Sequence, residues 1–72
     1  MNSEAVKRLL QEQPFFPLEV HLSSGKSYII RHSEFAAISK NTLVIIDPDT
    51  DFVNCCSLIH VNNVVRMQTS AA

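Results

Sequence analysis

The 72-residue chain contains one glycine, no tryptophan and three prolines. So few glycines and prolines leave little room for long loops. It has no excess of either charge. Six Lys plus Arg against seven Asp plus Glu give a formal net charge of −1, whereas a nucleic-acid binder usually shows a basic surplus. Long apolar runs are missing too. The longest are short stretches such as Leu43-Val44-Ile45-Ile46, far below the length that crosses a bilayer. Met1 to Gln13 lacks the continuous apolar stretch and small-residue cleavage site of a signal peptide, so the expected compartment is the cytoplasm, with no membrane contact. There is no C-x-x-C pair. The two cysteines, Cys55 and Cys56, are adjacent. Neighbours on a strand point to opposite faces, so they cannot staple two distant segments, and both are expected to be reduced thiols.

What is present is apolar and β-branched. Hydrophobic residues make up 46% of the chain, a globular composition whose Val, Ile and Leu favour strands. The length allows one domain, spanning 1–72. A domain of about 60 residues buries only about 60% of its unfolded surface, and such small cores often gain stability by oligomerising.

Asn2 or Ser3 can cap a helix, with Glu4 in its first turn. Ala5, Val6, Leu9 and Leu10 form an i, i+3, i+4 stripe, and Pro14 ends the segment. This predicts a helix over 3–12 whose stripe docks through Leu9 or Leu10. Pro14-Phe15-Phe16-Pro17 is a stiff connector that reads as an apolar plug under the helix. Leu18, Val20 and Leu22 then alternate with Glu19, His21 and Ser23, a half-buried strand. Ser24-Gly25 supplies a tight turn. The remaining pattern predicts strands over 18–23, 26–32, 43–47, 52–59 and 64–67, with Leu18, Val20, Leu22, Tyr28, Ile30, Leu43, Ile45 and Val64 buried. Arg31 to Glu34 is polar and Phe35 to Ile38 apolar again, which reads as a bent strand turning a barrel corner, with a one-turn helix as the alternative. His60 to Asn63 reads as a short connector.

The expected fold is mainly β: an N-terminal helix followed by a five-stranded antiparallel SH3-like or Sm-like small barrel over 15–68, with a frayed tail at 69–72. The rival is an open sheet covered on one face by the helix.

Few constellations carry chemistry. Asp47, Asp49 and Asp51 mimic the opening of a calcium loop, but the sixth and twelfth positions are Phe52 and Leu58 rather than Gly and Glu. They read as a solvated acidic turn. His21, His32 and His60 match no zinc spacing with the cysteines. The polar interruption Arg31-His32-Ser33-Glu34 is the candidate binding point. In an extended chain His32 and Glu34 share a face. Ser33 diverges from His32 and has no identifiable acid behind it. No catalytic, cofactor-binding or metal-ligating residue is assigned.

Pro14-Phe15-Phe16-Pro17-Leu18, Gly25 and Ile30-Arg31-His32-Ser33-Glu34-Phe35 resemble a group of short uncharacterised bacterial proteins. These have a helix, a Pro-Phe-x-Pro start, an Asp-Gly turn and a His-Pro-Glu segment, where this chain has Ser24-Gly25 and His32-Ser33-Glu34. The resemblance implies no activity. Ile59-His60-Val61-Asn62-Asn63-Val64, after a helix and a bent sheet, also resembles the closing motif of Sm-like RNA-binding proteins. The Arg-Gly step that contacts RNA in that family is absent here, so the resemblance implies the shape more than the ligand.

These features point to a non-enzymatic interaction module, self-associating as a homo-oligomer or binding a protein partner. An Sm-like nucleic-acid binder is the alternative, with Lys26, Arg31 and Arg66 as its possible basic face. The final strand, 64–67, carries only Arg66 as a blocker against edge pairing, so it is the expected seam.

Overall fold

The computed structural model describes residues 2–67. The expectation of a frayed tail at 69–72 lies outside them. Helix α1 spans Ser3–Gln11. The Asn2 side chain accepts a hydrogen bond from the Glu4 backbone N–H at 2.7 Å, satisfying one of the donors that every helix start leaves open. Glu4 in the first turn and Arg8 in the last complement the helix dipole.

Six strands follow, not five. They are β1 (Leu18–Leu22), β2 (Ser27–Ile30), β3 (Ala36–Ile38), β4 (Thr42–Ile46), β5 (Val53–Ser57) and β6 (Val61–Arg66). They form two separate three-stranded antiparallel sheets, ordered β2-β1-β6 and β3-β4-β5. The expected five-stranded closed barrel is therefore incorrect. The physical reason lies at 31–35. A 3₁₀ turn over Ser33–Phe35, closed by the Phe35 N–H donating to the His32 carbonyl at 3.0 Å, interrupts the chain. Residues expected to bend as one strand thus belong to two sheets, β2 in the first and β3 in the second. A second 3₁₀ turn, Leu58–His60, carries the chain from β5 back to β6.

The sheets bury their facing sides against each other. Leu18, Val20 and Ile30 from the first sheet and Leu43, Ile45 and Cys56 from the second make the core, completed by Val6, Leu58 and Val61. The expected core positions 18, 20, 30, 43 and 45 are buried, whereas Leu22, Tyr28 and Val64 are only half-buried and pack at the margin. Leu22 and Tyr28 line a cleft between the two sheets.

The helix docks differently from the expectation. Val6 is fully buried, while Leu9 and Leu10 are half-buried and Ala5 is exposed. Helix α1 lies against β3, and its C-cap residue Glu12 reaches β6. The Arg66 guanidinium donates to Glu12 Oε1 at 2.6 Å and sits 5.6 Å from the Phe16 ring centroid. The helix and its connector thus tie β3 to β6. Phe15 packs on the core and Phe16 is exposed beneath Arg66. The Gln13–Pro14 peptide is cis.

Two turns need unusual backbone. Gly25 sits at φ 92° in the β1–β2 turn, where its N–H donates to the Leu22 carbonyl at 3.0 Å. Asp51 sits at φ 63°, a left-handed conformation that asparagine and aspartate tolerate better than most residues. The Asp47 carboxylate accepts from the Asp49 N–H at 2.8 Å and its carbonyl from the Asp51 N–H at 2.8 Å. The acidic run is a self-bonded turn. None of the helices among the described residues is long and apolar enough to cross a membrane.

Candidate functional site: the open edge of the second sheet

Among the described residues two sheets of three strands leave four edges, and one of them lacks protection. Strand β3 has three residues and is packed by α1. Strand β2 has four, flanked by Lys26 and Arg31. Strand β6 carries a bulge: His21 pairs with Asn63 but Leu22 with Val61, leaving Asn62 as the extra residue. Its Arg66 is held by Glu12. Bulges, charges and brevity all discourage edge pairing. The expected seam on the last strand is therefore guarded. Strand β5, Val53-Asn54-Cys55-Cys56-Ser57, has no charge, proline or bulge.

The ladder fixes which backbone groups of β5 are free. The Asp47 N–H donates to the Phe52 carbonyl and the Leu58 N–H to the Asn41 carbonyl, both at 2.9 Å. In the register Ile45 with Asn54 and Leu43 with Cys56, hydrogen-bonded pairs alternate with non-bonded ones. Asn54 and Cys56 thus spend their N–H and C=O groups on β4. Those of Val53, Cys55 and Ser57 point away from the sheet.

The side chains alternate likewise. Cys56 is buried and Asn54 half-buried on the inner face, while Val53, Cys55 and Ser57 are exposed on the outer face. Across the ladder their partners are Ile46, Val44 and Thr42, and Ala37 pairs with Val44 from the other side. This outer face carries no ionisable side chain except the thiol of Cys55. The outer face of the first sheet, by contrast, displays Glu19 and His21, whose carboxylate and Nε2 lie 3.2 Å apart. Phe52 and Ile59 flank β5 at its two ends and are 70% and 81% exposed. They are the two most exposed large apolar side chains among the described residues.

A cleft of about 440 Å³ runs beside this edge, with Leu22, Ser23, Tyr28 and His60 opposite Asn54–Ser57. Four consecutive residues of β5 line it. Since their side chains alternate between faces, the cleft follows the strand's edge, not one of its faces. A second cleft, lined by Arg31, Asp47 and Ile29 among others, adjoins it through Tyr28 and Asn54.

The cleft does not assemble a catalytic set. Ser23 Oγ and His60 Nδ1 lie 3.5 Å apart, at the limit of a hydrogen bond. No carboxylate lines the cleft to orient the imidazole. Burial, with a smaller contribution from neighbouring Cys55, pushes the Cys56 thiol above its ordinary pKa, so it stays protonated and poorly nucleophilic near neutral pH. Both cysteines are unbridged. Among the described residues no three His, Cys, Asp or Glu side chains gather to hold a metal ion.

The binding point read from the sequence is dispersed. Arg31, His32 and Glu34 are all exposed. Arg31 lines the second cleft with Asp47, while the His32 ring packs 5.6 Å from Phe35. Among the described residues no hydrogen bond or ion pair joins His32 to Glu34. The basic triad is also scattered. Leu18 pairs with both Ile30 and Arg66, placing Arg31 and Arg66 at one end of the first sheet. Lys26 lies at the other end, its carbonyl bonded to the Leu22 N–H. Compared with known protein families, curated proteins and solved structures, the chain matches none.

Proposed function

We propose that this chain is a non-enzymatic interaction module that works by self-association or by accepting a protein partner, in the cytoplasm. The observation that carries the reading is the unguarded edge of β5 beside an uncharged outer face. An edge with free N–H and C=O groups recruits another strand through main-chain hydrogen bonds, and its alternating side chains supply selectivity. The unbridged cysteines fit a reducing compartment. The cleft's chemistry supports the non-enzymatic part, since its histidine lacks an orienting acid and its buried thiol is held protonated.

Light scattering on the full chain across a wide concentration range tests the self-association part. The expected mass rises with concentration. A monomer mass throughout overturns that part and leaves only a heterologous partner. Adding a generic single-stranded RNA at low and moderate salt separates the other class of function. Binding that weakens as salt rises would be counter-ion release on phosphate contacts and would overturn the reading in favour of a nucleic-acid binder.

A further inference from the structure

We infer that β5 pairs with β5 of a second copy, antiparallel and centred on Cys55, to give a two-fold dimer with a continuous six-stranded sheet. The inference rests on the interaction-module reading and specifies its seam. Three observations carry it. First, the outward backbone groups of β5 are placed symmetrically, the Ser57 carbonyl being also the one that opens the 3₁₀ turn over Leu58–His60. Val53, Cys55 and Ser57 point theirs outward, two residues to either side of a central one. A two-fold axis at Cys55 sets Val53 against Ser57 of the second copy, Cys55 against Cys55, and Ser57 against Val53. Every outward N–H and C=O then finds a partner.

Second, the surface is compatible with its own image. A two-fold contact places like against like near the axis, so a charged residue there would meet itself. The outer face of β5 and of the strands beside it presents only Val, Ala, Ile, Thr, Ser and Cys side chains, and the one other polar residue of β5, Asn54, is uncharged. Third, the two most exposed large apolar residues among those described, Phe52 and Ile59, sit just beyond opposite ends of β5. Antiparallel pairing at this register sets Phe52 of each copy against Leu58 of the other, one residue from the exposed Ile59, so each apolar end of the strand lies beside the opposite end of its mate. A parallel pairing would leave Phe52 beside Phe52 and would not close a two-fold dimer across the edge. An unrelated extended peptide would satisfy the backbone but has no reason to match the centred symmetry.

The native thiol reports this register. Directly opposed residues of a hydrogen-bonded antiparallel pair have Cα atoms about 5.5 Å apart, inside the span a disulfide bridges. Mild oxidation of the reduced full chain by diamide should give a covalent dimer on non-reducing gels, each pair of thiols losing two protons and two electrons to the diamide. Cys56→Ser should keep the product and Cys55→Ser should abolish it. On the Cys55→Ser background, Val53→Cys and Ser57→Cys should cross-link poorly alone and well when mixed. Sedimentation provides an arm that does not depend on the thiol. Cys55→Ser should remain dimeric, while Cys55→Lys, which sets two ammonium groups at the axis on an exposed position, should become monomeric with its circular dichroism unchanged. The inference is overturned if Cys55→Lys associates as the parent does. It is equally overturned if Val53→Cys cross-links to itself as readily as to Ser57→Cys, or if the parent is monomeric throughout. In the first two cases self-association survives as a property of another surface. In the third it fails with the seam.

Discussion

Replacing Val6 by alanine tests how the helix is attached. Val6 is fully buried among the residues that face each other across the two sheets, while Leu9 and Leu10 pack only at the margin. The substitution removes two methyl groups, about 1.6 kcal/mol at about 0.8 kcal/mol per buried carbon. The residual cavity adds a further cost because the surrounding strands, fixed by their ladders, relax only in part, bringing the total to about 2–3 kcal/mol. Leu9→Ala and Leu10→Ala remove more carbon but from half-solvated positions, where water fills the space, so each should cost about 1 kcal/mol. Urea melts followed by circular dichroism give the comparison. With a urea m-value of about 1 kcal/mol/M for a chain this small, the Val6→Ala midpoint should fall by about 2–3 M. The m-value should stay unchanged, showing that the compactness of neither state has moved. Lys7→Ala, exposed on the same helix, serves as a control and should leave the midpoint nearly in place. If either leucine substitution lowers the midpoint as much as Val6→Ala does, the helix does not dock through Val6 and the reasoning is wrong.

Other perturbations follow from particular contacts. Glu12→Gln should cost about 0.5–1 kcal/mol in low salt and less in high salt, because its pair with Arg66 is partly solvated and screened; equal costs at both ionic strengths would show that the charge is not what holds the helix end to β6. Asp51→Gly should stabilise by up to about 1 kcal/mol, since glycine carries no penalty at φ 63°, and Asp51→Val should destabilise; the order of the two thermal midpoints decides it. Gly25→Ala should destabilise through backbone strain alone, because a Cβ there meets open space while φ is +92°; an unchanged midpoint refutes that. The buried Cys56 thiol has a folded-state pKa above its ordinary value. The folded chain therefore favours its protonated form, and the stabilisation is fully present below the ordinary thiol pKa and lost as pH rises through the folded value. Parent stability should fall over that alkaline window more steeply than that of Cys56→Ala, and parallel curves would contradict the burial argument.

Periodicity made the faces legible and left the edges obscure. Leu18, Val20 and Ile30, and Leu43 with Ile45, were readable as inward positions because a period of two is a local property of each strand. The cap at Asn2 and the turn at Gly25 were local too. The break at 31–35 was not, because Ile30 and Ala36 look like one interrupted apolar run. Only the packing decides that the chain leaves one sheet and enters another. Val6 rather than Leu9 or Leu10 became the helix anchor for a similar reason. The stripe names a face of the helix, but which turn of that face meets the sheets depends on where β3 and β6 sit.

The seam shows the same division between local and assembled information. That 53–57 carries no charge and no proline is plain in the sequence, as is the lone Arg66 in the last strand. What could not be read is that Arg66 is spent on Glu12, that β6 carries a bulge at Asn62, and that among the described residues no strand pairs with β5 on its far side. A residue guards an edge only if its strand lies at one, and strand order depends on every pairing in the molecule. Once the order is known, the neutral run at 53–57 changes meaning. On an inner strand it would be ordinary core packing. On an edge it is a surface that meets its own image without charge conflict.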